Sequence, residues 1–339
     1  MQVVRIARGR HLQVKLSQCG LLCPNAPQPR PDSQPKRPRS MHTSSPEPAA
    51  PSAKLAGRVA VITGGASGIG ASCARAFVEH GARVFVADVE DEAGRALCEE
   101  LGPSANFFHC DVLNEKDIAG VIDQAVKQYG KLDILHNNVG VGGRTTSIQD
   151  VDIDDFDKIY ATNVRSVVLG LKYAARVMIP RESGSIISTS SVAAVVGGSA
   201  PSPYAFTKSA IPGITRQAAA ELGKYGIRVN CISPLAIASH AQLRRVQKLQ
   251  GCENLTLDQY SAMMDEISEL KGAKLRAEVF ARTALFLASD DASYTTGQNF
   301  VLDGGFTCSK PYPLKVLNRA FDNCFSYSKS ASHDPQNNP

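Results

Sequence analysis

From Lys54 to about Phe306 the chain alternates short, β-branched apolar runs with longer amphipathic stretches. Apolar runs of about five residues bounded by turn residues fit buried strands, and longer stretches with 3.6-residue periodicity fit helices packed on one face. The pattern predicts strands at 58–62, 83–87, 105–109, 132–136, 184–189, 227–231 and 298–302. It predicts helices at about 68–80, 91–101, 115–129, 154–179, 204–223 and 276–288. Strand and helix alternating at this spacing make βαβ units, hence a parallel sheet covered on both faces. With right-handed crossovers the expectation is one α/β domain. It has a doubly wound, mostly parallel seven-stranded sheet, with its ligand at the carboxyl ends of the strands.

Three segments depart from the rhythm. Residues 240–275 are helical and polar where a strand is due, and an insertion at the ligand edge reads either as a substrate lid or as an ordinary surface helix pair. Residues 1–53 hold nine of the nineteen prolines and few large apolar side chains after Leu22, so this extension is expected to be disordered. Its first part places Arg5, Arg8, Arg10 and Lys15 among Val3, Val4, Ile6, Leu12, Val14 and Leu16 without an acid. Such a leader reads as an organelle transit peptide, more mitochondrial than plastid, or else as an untargeted, unstructured extension or a start placed too early, since Met41 sits shortly before the domain. The domain is expected to occupy 54–307, with 308–339 as a tail that frays beyond Asn323.

Charge and cysteine usage narrow the classes. The net charge of +5 comes from the extension, where eight Lys/Arg face two acids, whereas residues 54–339 carry 29 basic against 30 acidic side chains. A nearly neutral domain gives no case for nucleic acid. The nine cysteines are scattered without C-x-x-C pairs, as expected for reduced thiols of an intracellular protein with no disulfide framework and no metal site. No apolar run approaches the roughly 18 residues that span a bilayer. The expectation is a soluble protein, mitochondrial if the leader is a transit peptide and cytoplasmic otherwise.

The chemistry gathers at predicted strand ends. Val59-Ala60-Val61-Ile62-Thr63 runs into Gly64-Gly65-Ala66-Ser67-Gly68-Ile69-Gly70 and then a helix, which builds a cradle for a pyrophosphate. Asp88 closes the second strand eighteen residues after Gly70. A carboxylate there accepts from ribose hydroxyls and repels a 2'-phosphate, and with no Lys or Arg in the turn or at 89–90 it selects NAD over NADP. Among nine tyrosines only Tyr204 is followed at the fourth place by lysine, Lys208. On a helix the two emerge on one face, and Ser191 ends an apolar strand thirteen residues earlier. A phenol with a pKa near 10 becomes a usable base only if a cation stabilises its anion. Ser190 competes with Ser191, and the spacing favours Ser191. Pro212 lies inside the same helix and takes away the amide that would bond the Lys208 carbonyl, so a bend with the Tyr204–Lys208 pair retained is expected.

The spacing Thr63-Gly64-x-x-x-Gly68-x-Gly70, with Asn137-Asn138-Val139-Gly140, Ser191, Tyr204-x-x-x-Lys208 and Asp303-Gly304-Gly305, resembles the short-chain dehydrogenase/reductase family over about residues 54–307. The run Ser233-Pro234-Leu235-Ala236-Ile237-Ala238-Ser239 is similar to the plant branch that includes secoisolariciresinol dehydrogenase, xanthoxin dehydrogenase and momilactone synthase. The resemblance implies a Rossmann fold binding NAD through Thr63, Gly64, Ser67, Gly68, Ile69, Gly70, Asp88, Asp111, Val112, Asn138, Val139, Gly140, Tyr204, Lys208, Pro234, Ile237 and Ser239. It implies catalysis by Asn163, Ser191, Tyr204 and Lys208, with Asn163 anchoring a water and proton relay. Val139, Leu235 and Ser239 stand where the family usually has alanine, glycine and threonine. Val139 fits only if the dinucleotide shifts or the side chain points into the sheet. The family also implies a homotetramer built on helices 154–179 and 204–223.

Together these imply an NAD-dependent dehydrogenase of a secondary alcohol, acting on a bulky apolar metabolite such as a terpenoid or lignan, since Leu243, Leu249, Leu255, Met263, Met264 and Ile267 populate the lid. The alternatives are a reductase of a ketone or acyl thioester using the same residues, and a dinucleotide-binding regulatory protein.

Overall fold

Strand β1, Val59–Thr63, is buried at every position and apolar at all but Thr63, because both of its faces are covered. It pairs in parallel with β2, Arg83–Asp88, on one side and with β4, Ile134–Asn137, on the other. Strand β3, Ala105–His109, flanks β2, and β5, Gly184–Thr189, β6, Ile227–Pro234, and β7, Asn299–Leu302, extend the opposite wing. The order is β3-β2-β1-β4-β5-β6-β7, and every pairing is parallel. The wings part between β1 and β4, and in such sheets the ligand crevice opens at that switch.

The computed structural model describes residues 53–144, 147–239, 242–244, 246–247 and 252–308. The expectations for residues 1–52, for the tail after Cys308 and for parts of the lid, Leu249 among them, lie outside the described residues.

Alternation along the strands divides the core in two. Ala60, Ile62, Val84, Val86, Ile134, Ile187 and Ile232 face α1, Gly68–Glu79, and α8, Ala277–Ala288. Val59, Val61, Phe85, Leu135, Ile186 and Val229 face α3, Glu115–Tyr129, and α5, Ser166–Met178. Helix α2, Asp91–Leu101, packs its Leu97 on the first side, and α6, Ser202–Leu222, its Leu222 on the second. The helix caps are those the sequence offers. Asn114 accepts from Lys116 N at the start of α3, and Gly130 ends that helix in the left-handed conformation.

Three expectations change on inspection. Several strand and helix ends shift by one or two residues: β4 begins at Ile134, because the buried Asp133 carboxylate turns back to accept from Val59 N at 2.8 Å. The helix expected over 154–179 is two helices, α4, Ile153–Tyr160, and α5, joined by a π-turn at Ala161–Arg165. One wide turn absorbs an extra residue, and such turns concentrate at functional sites. In the 240–275 segment the longest described helix is α7, Leu257–Glu266, started by a Thr256–Gln259 capping box and tied to α8 by the bidentate Asp265–Arg276 ion pair. Helix α6 runs unbroken through Pro212, with Tyr204 and Lys208 on the same side as expected.

Phe280 is fully buried in α8 and stacks on His136 of β4, with ring centroids 5.8 Å apart. Phe280→Ala is expected to destabilise the fold by about 3–5 kcal/mol, read as a lower denaturation midpoint with an unchanged slope against denaturant.

Candidate active site

The loop from β1 to α1 crosses the carboxyl edge of the sheet at the switch point. Gly68 adopts a positive φ of 51°, and the place where a Cβ would sit is open space. A Cβ at Gly70 would run into the carbonyl of Gly64, so the first turn of α1 can lie on the strand end only with glycine there. A cleft of about 400 Å³ opens above this turn. Its walls include Gly64, Ser67, Gly68, Ile69, Asp88, Asp111, Val112, Asn138, Val139, Gly140, Ile237 and Ser239. Thr63, Gly70, Tyr204, Lys208 and Pro234, also expected to bind the dinucleotide, are not among the residues that line the cleft. Thr63 Oγ1 accepts from Asn138 N at 3.1 Å and so joins the ends of β1 and β4.

Asp88 braces the turn as well as bordering the cleft, since its carboxylate accepts from Ala66 N at 2.9 Å and from Glu90 N at 3.1 Å. Asp111 caps its own turn by accepting from Leu113 N at 2.9 Å. Val139 packs against the sheet's second core face, with Cγ2 beside Gly64, and also borders the cleft.

The second group of side chains comes from β5, α6 and the π-turn. Lys208 is 3% exposed, and its Nζ donates to the Thr189 carbonyl at 2.8 Å. The same nitrogen lies 5.8 Å from the centre of the Tyr204 ring. Burial removes water from the ammonium and pushes its pKa down to about 8, so the amine stays charged near neutrality with a proton held less tightly than usual. Ser191 follows β5 and accepts from Ala193 N at 3.2 Å. Asn163 sits in the π-turn, fully buried. Its amide donates to the Val141 carbonyl at 2.9 Å and to Thr207 Oγ1 at 3.0 Å, while its oxygen accepts from Val141 N at 2.8 Å. Gly140 lies against this group, because a Cβ there would sit 2.9 Å from Lys208 Nζ and 3.7 Å from Asn163 Oδ1.

One polar chain beneath the site was not read from the sequence. Asn138 Nδ2 donates to the Gly64 carbonyl at 3.1 Å, leaving its oxygen to accept from Thr189 Oγ1 at 3.1 Å. The Thr189 hydroxyl hydrogen is thus committed, and His136 Nε2, 2.9 Å away, is the donor to it. His136 is therefore the Nε2–H tautomer, and burial lowers its pKa to about 3, keeping it neutral. Its Nδ1 has no hydrogen-bond partner among the described residues. Thr189, Thr207 and His136 carry no motif that would single them out, whereas Val141 and Thr162, also at the cleft wall, adjoin residues that do.

A larger cavity of about 530 Å³ lies at the amino ends of the strands, lined by Arg58, Asp133 and Arg228. It holds none of the sequence-derived candidates, and its arginines are engaged, Arg58 with Asp290 and Arg228 with the Leu287 and Ser289 carbonyls. Among the described residues no cluster of His, Cys, Asp or Glu could hold a metal ion, and no helix is long and apolar enough to cross a membrane.

Residues 64–307 match the family described as enoyl-(acyl carrier protein) reductase. The chain is 46% identical over 267 residues to (+)-borneol dehydrogenase 2 of Salvia officinalis, covering 78% of this chain and 94% of that protein. It is 47% identical over 271 residues to momilactone A synthase of Oryza sativa subsp. japonica, covering 79% and 93%. It is 44% identical over 273 residues to xanthoxin dehydrogenase of Arabidopsis thaliana, covering 79% and 95%. Among solved structures, levodione reductase superposes with a TM-score of 0.68 at 30% identity, covering 76% of this chain and 100% of that one. A short-chain type dehydrogenase/reductase from Mycobacterium marinum gives 0.65 at 32% identity, covering 76% and 98%. Such likeness, together with the parallel seven-stranded sheet and the residues gathered at its carboxyl edge, makes this chain an oxidoreductase enzyme of the short-chain dehydrogenase/reductase family.

Proposed function

We propose that the enzyme transfers a hydride between NAD and a bulky apolar secondary alcohol, with Tyr204, Lys208, Ser191 and Asn163 in the working roles. The observation that carries this reading is the juxtaposition of Lys208 Nζ with the Tyr204 ring and the Gly140 backbone, beside a cleft walled by a glycine turn and an acid. The cleft residues fit a dinucleotide: open space faces Gly68, the α1 amino terminus points at it, and Asp88 stands where an adenosine ribose would be read. When bound, the nicotinamide supplies the hydride acceptor. Tyr204 takes the substrate's hydroxyl proton, and the Lys208 charge favours the phenolate that does so. Lys208 would also hold the nicotinamide ribose once the dinucleotide is bound. Ser191 keeps the substrate oxygen within reach of Tyr204. Asn163 fixes the Val141 backbone and, through Thr207, the face of α6, and from there serves the proton route to Lys208.

A carboxylate at 88 with no cation beside it in the turn favours NAD over NADP. Apolar side chains on the 240–275 segment, Leu243, Met263 and Ile267 among them, favour a bulky hydrocarbon substrate, in keeping with the borneol and momilactone named for the relatives. Met264 turns instead to a separate apolar cavity of about 440 Å³ between this segment, β7 and α8. Exposed Val168 on α5 and Phe206 on α6 favour contact between copies of the chain. A basic leader without acids, and a 46% identical relative named as mitochondrial borneol dehydrogenase from Lavandula x intermedia, favour a mitochondrial address.

A screen of secondary alcohols with NAD, followed by absorbance of the reduced cofactor, tests the whole reading. Tyr204→Phe is expected to lower kcat by about 10²–10⁴-fold with the dinucleotide Kd nearly unchanged, and an unaffected kcat removes the catalytic claim. Asp88→Ser is expected to narrow the ratio of kcat/KM for NAD over NADP by about tenfold or more, and a constant ratio points to another determinant.

Lys208 gives a signed pH effect. Its folded pKa, about 8, lies below the 10.5 of an exposed lysine, so between these values the unfolded chain holds a proton that the folded chain has released. The stability of the protein without dinucleotide, taken relative to Lys208→Met, should therefore rise as pH climbs through that window, and the full penalty of burying the charge applies below it. Denaturation of the pair across alkaline pH checks this, and a flat difference contradicts it.

A further inference from the structure

Pro212 stands inside α6, where the residue's amide would donate to the Lys208 carbonyl four positions back. Proline has no N–H to give, and its ring pushes that carbonyl away from the helix axis. The carbonyl is nevertheless paired, because Ser190 Oγ donates to it at 3.0 Å from the end of β5. Ser190 is 2% exposed and Lys208 3%, so bulk water does not reach this contact. The neighbouring residue grips the other end of the same lysine, since Thr189 O accepts from Nζ at 2.8 Å. Ser190 N in turn donates to Ile232 O at 2.7 Å, which seats the clamp on β6.

We propose that Ser190 is a positioning residue whose hydroxyl replaces the amide lost at Pro212 and holds the Lys208 backbone so that Nζ stays between Thr189 and Tyr204. The two adjacent serines then have divided tasks. The Ser190 hydroxyl hydrogen is committed to Lys208, and Ser191 is left for the substrate oxygen. The inference rests on the catalytic reading of Lys208 given above. It goes beyond that reading by coupling a hydroxyl on one element to a proline on another. Without the hydroxyl a buried carbonyl goes unpaired, and the helix turn carrying Tyr204 and Lys208 must move to relieve it. With alanine at 212 the helix supplies its own donor, and the hydroxyl becomes dispensable.

The test is a cycle of four full-length proteins: wild type, Ser190→Ala, Pro212→Ala and the double variant. Each is assayed with NAD and borneol as probe substrate from neutral to alkaline pH. Ser190→Ala is expected to lower kcat about tenfold, to raise KM for NAD severalfold, and to move the apparent pKa of kcat/KM upward. Pro212→Ala should stay within about twofold of wild type, and the double variant should recover most of the loss. The tenfold coupling corresponds to about 1.4 kcal/mol. An equal loss from Ser190→Ala in both backgrounds overturns the proposal. So does a coupling seen in denaturation midpoints with kcat and the pH profile unmoved, which reduces the contact to a structural bond. If wild type oxidises no alcohol, the catalytic reading fails on its own. The same cycle, read as denaturation midpoint, then supports the hydroxyl-for-amide exchange if the two substitutions are coupled and overturns it if their effects simply add.

Discussion

An ammonium group withdrawn from water needs a fixed acceptor, and Lys208 Nζ finds one in the Thr189 carbonyl at the last residue of β5. That single contact requires α6 to lie against the carboxyl end of β5, brings Tyr204 alongside, and leaves Gly140 as the one kind of residue that the space next to Nζ allows. It also explains the polar floor beneath. Thr189 is held by His136 and Asn138, and Asn138 is held in turn by Gly64, so the acceptor of the lysine and the turn that would cradle phosphates belong to one hydrogen-bonded set. A set buried to this degree is rigid only when its members are paired, and the bare Nδ1 of His136 is its one open place on the imidazole.

The architecture was legible because the pattern of apolar residues is continuous over strands and periodic over helices, and the alternation leaves a parallel sheet as the only simple arrangement. The glycine turn, Asp88 and the Tyr204–Lys208 pair were legible for another reason. Each needs a particular residue at a particular spacing to do chemistry. What stayed hidden were contacts between segments distant in sequence. Thr189, Thr207 and Ser190 look like ordinary strand and helix hydroxyls, and only the folded chain shows that they face Lys208 and Asn163. The π-turn was invisible too, since an apolar stripe with one extra residue still reads as one long helix. Pro212, by contrast, announced a problem in the sequence, and the fold answers it from another element.

The division of the core bears on how the cleft is held open. Helices α1 and α8 cover one face of the sheet and α3, α5 and α6 the other, and most of the cleft residues hang from strand ends where the two layers meet. The turn from β1 is fixed by Asp88 from β2 and Asn138 from β4, so its shape is set by three strands at once. The 257–275 segment is joined more lightly, chiefly through Asp265 to Arg276 and through Leu270 N to the Gly304 carbonyl. Rigid at the turn and lightly tethered at the rim is the arrangement that a conserved cofactor and a variable substrate call for.

The wide turn at Ala161–Arg165 has a consequence for how this sequence can change in length. Each residue added to or removed from a helix rotates everything beyond it by about 100°. The wide turn already absorbs the extra residue, so losing one there would close the helix into regular turns with the stripe of α5 still facing α3, yet it would swing Asn163 off Val141. One-residue deletions are therefore excluded from this short stretch by the contacts of Asn163, and not by the packing of α5 on α3.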